Sequence, residues 1–250
     1  MDVDQYLKRI NVDRIEQLNL DFLARLQTSH MVNVPFENLD VMNQIPITLE
    51  INSLFSKIVT QERGGFCFEL NGAMNELLLN LGFEVKMTEA AVYDAVRQEF
   101  GDIRNHMTLI VNLDQLYLVD VGFGDGPRNP LPLSGGPVSD PSGTYQIRQQ
   151  DSEFYILEKH IDTELIPFYK FNLNDLKLED YQENCDWIQS STESNFTQGK
   201  IWTIALPEGR ITLSEQNVTI TKLMEKTLIE FTREKDFEFY LKSYLGDGIQ

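Results

Sequence analysis

The chain has 250 residues, 42% hydrophobic and 24% charged, a globular balance able to bury a sizeable core in one domain or in two to three smaller ones. Against 21 basic residues stand 39 acidic ones, a formal net charge of -18. That balance argues against binding to phosphate backbones or anionic membranes and against long-range capture of an anionic ligand.

No run approaches the length of a membrane span, and the first residues lack the basic-then-apolar order of a signal peptide. Two cysteines, Cys67 and Cys185, make no disulfide framework, so a reducing cytoplasm is the expected compartment.

Ile15, Leu18, Phe22 and Leu26 recur at helical spacing, as do Leu49, Ile51, Leu54, Phe55 and Ile58. Between them, V-P-F-E-N-L-D at 34–40 carries Pro35, which interrupts any helix. A third helix is predicted from near Cys67 through Leu70, Met74, Leu77, Leu78 and Leu81, closed by Gly82. Beyond Gly82 the period becomes two. Residues 83–87 alternate, and 106–112 and 115–123 read as paired strands around Leu113 and Asp114. The Gly/Pro/Ser-rich segment 124–143 is expected to be loop, and 145–148 and 154–158 resume the β pattern. Helical signal returns at 172–183. Residues 201–206 and 211–213 flank a P-E-G-R turn at Gly209. Two closing helices are predicted, one carrying Leu223, Leu228 and Phe231, the other Phe239, Leu241 and Tyr244. The plan is helices, then antiparallel sheet, then a mixed C-terminal unit.

One stretch, R-G-G-F-C-F-E-L-N at 63–71, places Cys67 after a glycine pair and in the first turn of a helix. A free thiol ionises near pH 8.5 or so and needs a helix N-terminus or a nearby cation to become a nucleophile at neutral pH. Gly64 and Gly65 are read as letting the backbone turn tightly, and the helix start supplies unpaired N–H groups that favour a thiolate and could hold an oxyanion. Free cysteines are also among the most buried residues, so the thiol alone decides nothing.

Three histidines are available as partners. His160 follows a charged pair and reads as a surface residue, while His30 ends a helix whose dipole would stabilise its charge. His106 opens a strand in which 106, 108 and 110 share a face. Asp120 lies inside the apolar run L-V-D-V-G, where an unpaired carboxylate is costly and calls for a partner. The two side chains stand opposed only if the hairpin turn centres on Leu113, through an odd loop or a compensating bulge. A two-residue turn without a bulge would put them on opposite faces. If the three meet, Asp120 orients His106, and His106 stabilises the Cys67 thiolate for attack on a carbonyl.

Four segments together resemble the arylamine N-acetyltransferase family. R-G-G-F-C-F-E-L-N resembles its nucleophile motif; H-M-T-L-I-V-N-L-D at 106–114 and V-D-V-G-F-G at 119–124 resemble the segments holding its His and Asp; V-P-F-E-N-L resembles its N-terminal signature. The resemblance implies an α+β fold with a cysteine-protease-like core: an N-terminal helical domain (1–84), an antiparallel β-barrel-like domain (85–190) and a C-terminal α/β lid (191–250). It implies a ping-pong reaction with acetyl-CoA as co-substrate, no metal and no prosthetic group. The acceptor would be an arylamine, arylhydrazine or N-hydroxyarylamine, with no nucleic-acid or membrane partner; oligomeric state stays open. By motif position, Cys67, His106 and Asp120 form the triad, Phe36, Phe123 and Phe196 line the acceptor pocket, and Val92 contacts the acyl group. Glu37 and Arg63 match positions that pair in the family.

A departure is Thr192, which stands where the family often has proline in an S-P-x-S-x-F segment, so the rigidity of 191–196 is in question. The run G-F-G-D-G at 122–126 lacks the ending of a nucleotide P-loop and reads as a tight turn. Gly124 and Gly126 are kept as candidates for CoA phosphate contact, although Asp125 would repel an anion unless Arg128 or another cation offset it. Two rival readings are a papain- or transglutaminase-like amide hydrolase using the same triad and a non-catalytic binding module on the same fold.

Overall fold

The structure, a computed structural model, describes residues 1–222 and 225–246. Helix α1 (Val3–Arg9) starts on Asp2, whose side chain accepts from the Gln5 N–H, and α2 (Leu20–Asn33) starts on Asn19, which accepts from the Phe22 N–H. The Asn19 cap sets the start of α2 later than the apolar spacing suggested, and Ile15 and Leu18 stay outside it, exposed. After Pro35 come β1 (Phe36–Glu37), α3 (Leu39–Met42) and α4 (Ile51–Phe55), which runs into a π-helical turn at Ser56–Thr60. Arg9 braces that turn, donating from Nε to the Ile58 carbonyl at 2.9 Å and from Nη1 to the Asn33 carbonyl at 2.6 Å. Helix α5 (Cys67–Leu81) is buried along most of its length and ends at Gly82, whose φ of 98° needs a residue without a Cβ.

The period-two segments then form β2 (Glu84–Asp94), β3 (Glu99–Phe100), β4 (His106–Asn112), β5 (Leu116–Val119) and β6 (Leu131–Pro132). They continue as β7 (Val138–Asp140), β8 (Gly143–Gln149), β9 (Tyr155–Ile161) and β10 (Glu164–Phe171). The antiparallel order is β6-β5-β4-β2-β10-β9-β8-β7, with β3 paired to β2, and the sheet curls until β6 lies beside β8. Strands β6 and β7 fall in the segment expected to be loop; they are too short to show alternation, and their pairing partners define them.

Strand β4 is buried on both faces. Met107, Leu109 and Val111 pack into the core shared with α5, while Ile110 joins a second core inside the curled sheet with Leu118, Tyr145, Leu157 and Tyr169. His106 and Thr108 share the Ile110 face by the strand's two-residue period.

Helix α6 (Gln182–Ser190) follows a 3₁₀ turn at Leu178–Tyr181, so the helix lies C-terminal to most of the 172–183 signal. The final unit comprises β11 (Ile201–Leu206), β12 (Gly209–Ser214), β13 (Asn217–Lys222), β14 (Glu225–Glu230) and α7 (Glu234–Gly246). The expected helix through Leu228 and Phe231 is instead β14 and the segment after it, because Leu228 pairs with Thr219 on β13; Leu223 lies outside the described residues. Phe239, Leu241 and Tyr244 do lie on α7. Trp202, Ile204, Leu213 and Val218 pack against Phe237 and Leu241 as a third core. Strand β1 completes this sheet, in the order β1-β11-β12-β13-β14, so a strand from the first 84 residues is stitched into the C-terminal unit. The architecture is α+β.

Candidate active site

The glycines before Cys67 serve close approach rather than a left-handed turn. A Cβ on Gly64 would overlap the Pro35 carbonyl oxygen, and one on Gly65 would lie 2.7 Å from Glu69 Oε2; neither glycine is among those with positive φ. The loop can therefore lie flat against β1, with the Glu37 N–H donating to the Gly65 carbonyl at 2.9 Å. Cys67 opens α5, its preceding Phe66 N–H donating to the Glu69 carboxylate at 3.1 Å. The thiol is buried but reaches a cavity of about 1070 Å³.

His106 is buried at the start of β4, and its Nε2 lies 2.7 Å from Asp120 Oδ2. Cys67 stands beside His106 on the same cavity wall, close enough to help hold the ring protonated. Pairing of Asn112 with Leu116 leaves a three-residue loop at 113–115, so the hairpin centres on Asp114 and not on Leu113. The last rung is Leu109 with Val119. Asp120 thus comes next to Thr108, one step diagonal from His106 on the same face, and the odd loop is what keeps that face common.

Asp120 is fully buried and accepts three more hydrogen bonds: from Asn71 Nδ2 at 2.9 Å, the Gly122 N–H at 2.8 Å and the Tyr169 hydroxyl at 2.8 Å. Burial favours its neutral form, but His106 and these donors hold the carboxyl below its ordinary range. Burial likewise works against a charged His106, yet the charge and hydrogen bond of Asp120, joined by Cys67, push its pKa up to about 10. At neutral pH the ring is therefore an imidazolium paired with the Asp120 carboxylate.

Asn71 and Tyr169 were not singled out from sequence. Asn71 stands one helical turn after Cys67 and also accepts from the Val121 N–H at 2.9 Å, which locks α5 to the Asp120 segment. Its spacing from Cys67 was a usable signal; Tyr169, from a distant strand, left none. Gly122 has a steric task in the same lock: a Cβ there would lie 2.7 Å from both Cys67 Cα and Asn71 Nδ2.

Phe36, Val92, Phe123 and Phe196 all line the cavity beside Cys67 and His106. Phe196 packs against Phe36 and Phe66 with ring centroids 6.0 and 5.7 Å apart. Its segment is fixed without the proline: Ser194 Oγ accepts from the Phe196 N–H at 3.2 Å, and Thr197 Oγ1 donates to the Ser191 carbonyl at 2.8 Å. Asn38, also missed, holds the same segment from the V-P-F-E-N-L side, donating to the Phe196 and Gly199 carbonyls at 2.8 Å each. Arg63 donates to Glu37 Oε1 from Nε at 3.0 Å and from Nη2 at 2.7 Å.

Gly124 and Gly126 are not part of this cavity wall. Between them, Asp125 is met by Lys159 at 3.2 Å and Arg210 at 3.4 Å. Arg128 is spent elsewhere, donating to the Leu206 carbonyl, to the Gly209 carbonyl at 2.5 Å and to Ser142 Oγ at 2.7 Å. His30 differs from its reading as a charged helix end: it is fully buried, neither ring nitrogen has a hydrogen-bond partner, and burial pulls its pKa down to about 3.

The sequence model of the N-acetyltransferase family matches residues 19–249. An arylamine N-acetyltransferase of Escherichia coli is 30% identical over 87% of this chain and 78% of its own. The chain belongs to the arylamine N-acetyltransferase family. It is accordingly an acyltransferase. The arylamine N-acetyltransferase pineal gland isozyme NAT-10 of Gallus gallus is 29% identical, covering 95% of this chain and 90% of that one. Among solved structures, arylamine N-acetyltransferase C of Bacillus anthracis superposes with a TM-score of 0.91 at 27% identity, covering 98% of both chains. A Bacillus cereus arylamine N-acetyltransferase described as having a unique Cys-His-Glu catalytic triad gives 0.89 at 26% identity over 97% of both chains. The acid bonded to the histidine in the present arylamine N-acetyltransferase fold is an aspartate, Asp120.

Proposed function

We propose that the chain transfers an acetyl group from acetyl-CoA to an arylamine, arylhydrazine or N-hydroxyarylamine by a ping-pong route through acetyl-Cys67. The observation that carries this reading is the buried His106, bonded to Asp120 and standing with Cys67 at the wall of an aromatic cavity. Acetyl-CoA as donor is supported by a solved relative from Mycobacterium marinum in complex with CoA, at a TM-score of 0.90 and 26% identity over 98% of this chain and 92% of that one.

In the first half-reaction the Cys67 sulfur attacks the thioester carbonyl, and N–H groups at the start of α5 face the oxyanion. The bond from the carbonyl carbon to the CoA sulfur breaks, and the leaving thiolate takes the proton from His106. In the second, the acceptor nitrogen attacks acetyl-Cys67 and gives its proton to His106, which restores the thiolate and the imidazolium. Asp120 holds the ring in place and stabilises its charge in both halves. Phe36, Phe123 and Phe196 suit a flat aromatic acceptor, and Val92 suits the acyl methyl. Gly124 and Gly126 remain proposed phosphate contacts, with Lys159 and Arg210 offsetting Asp125.

Intact-mass measurement after mixing with acetyl-CoA, without acceptor, tests the route. Wild type should gain one acetyl group and Cys67→Ala none. Equal gain by both, or no gain by wild type, overturns it. Steady hydrolysis of an amide with no dependence on CoA would point to the hydrolase instead.

A further inference from the structure

Behind Cys67 lies a chain of charges that the proposed reaction does not use. Lys57 Nζ sits 2.7 Å from Glu69 Oε1 and 2.8 Å from Asp40 Oδ2. Arg63 Nη2 continues the chain, 3.0 Å from Asp40 Oδ1 and 2.7 Å from Glu37 Oε1. Three carboxylates therefore share two cations, and Glu69 is the most deeply placed of the five side chains except Glu37. Lys57 arrives there on the π-helical turn Ser56–Thr60, a local irregularity of the kind that recurs at functional sites. Arg9 stabilises the turn from outside.

The free oxygen of Glu69 does the work nearest the thiol. Its Oε2 accepts the Phe66 N–H, the amide immediately before Cys67, and folds over Gly65 so closely that no Cβ fits there. The residue immediately before the thiol is thereby tied to the residue two positions beyond it. A peptide so tied holds Cβ of Cys67 on one course, and with it the distance from sulfur to the His106 ring.

We propose that Glu69 is a positioning residue that fixes Cys67 toward His106 by capping the Phe66 amide, with Lys57 as the counter-ion that lets it occupy that place. The proposal rests on Cys67 being the nucleophile but not on the identity of donor or acceptor. Burial drives the pKa of Glu69 up to about 7 even with Lys57 beside it, which agrees with a carboxylate kept in an unfavourable place for the sake of the cap.

The test is the rate of Cys67 alkylation by iodoacetamide at pH 8, which needs no acyl donor and so stands or falls apart from the transfer reaction. Cys67→Ala supplies the blank: Cys185 does not line the cavity, and burial pushes its thiol up to about 12. Glu69→Ala, shown to be folded by circular dichroism, should alkylate at least tenfold more slowly than wild type. Glu69→Gln keeps an acceptor oxygen for the Phe66 amide and should stay within about threefold of wild type. Gly65→Ala, which displaces the carboxylate without removing it, should resemble Glu69→Ala and serves if that variant does not fold. A merely structural role would lower thermal stability in all three while leaving the native rate untouched. Wild-type alkylation by folded Glu69→Ala or Gly65→Ala, or a Glu69→Gln rate as low as that of Glu69→Ala, overturns the proposal.

Discussion

Asp120 reaches His106 along a diagonal: it stands one residue past the last rung of the β4–β5 ladder, next to Thr108, and still closes to 2.7 Å on Nε2. The hairpin loop makes this possible, because an odd number of loop residues keeps both side chains on the inner face.

Replacing Asp120 by Asn keeps the shape and removes the charge that holds His106 protonated. Cys67 acetylation at pH 7 should fall about a thousandfold or more, read by single-turnover mass measurement. His106 titrates near 10 in the fold against about 6.5 unfolded, so its stabilisation is full below about 6.5 and is lost as pH rises through about 10. The urea-stability gap between wild type and Asp120→Asn should accordingly narrow from pH 7 to pH 10. A gap that widened would contradict the pairing.

Gly122→Ala puts a Cβ against Cys67 Cα and Asn71 Nδ2. The backbone must give on both sides, at a cost of about 1–3 kcal/mol. Thermal denaturation should report that loss, and acetylation should fall with it because α5 moves away from the Asp120 segment. Unchanged melting and activity would mean that Gly122 does not lie so close to Cys67 and Asn71.

Lys57→Met removes the cation shared by Asp40 and Glu69 and leaves buried carboxylates short of a partner. Urea unfolding should show a loss of about 3 kcal/mol or more. A double variant Lys57→Met/Glu69→Gln should recover part of it, and no recovery would show that the two side chains do not act as a pair.

His30 adds its own sensitivity to acid. Its folded pKa is near 3 and its unfolded value near 6.5, so its neutral form favours the fold above about 6.5. Stability then declines as pH falls toward about 3, by up to about tenfold per pH unit in the folding equilibrium. His30→Leu leaves no buried, unpartnered ring nitrogens and should be markedly less sensitive to acid between those limits. Parallel pH curves for the two proteins would refute this.

What could be read from the chain alone was whatever depends on local order. The run from Cys67 to Gly82 carries its own period and its own terminator, and the 106–112 strand carries its own alternation. An acid inside L-V-D-V-G announced a buried partner because a lone carboxylate there is too costly. The glycine pair was legible as a signal but not as a cause, since the atoms it makes room for, the Pro35 carbonyl and the Glu69 carboxylate, are met only in the folded loop.

Tertiary structure decided what depends on distant neighbours. Strands as short as β1, β6 and β7 have no period of their own and exist through the strands that pair with them. Leu228 went to a strand because β13 offered a ladder, against its helical spacing. Tyr169 became a donor to Asp120 from a strand 49 residues away, and His30 became neutral because the helices around it exclude water. The sequence by itself determined which groups had to find partners; the packing of the sheet on α5 decided which partners they found, because hydrogen bonds and burial act across space and not along the chain.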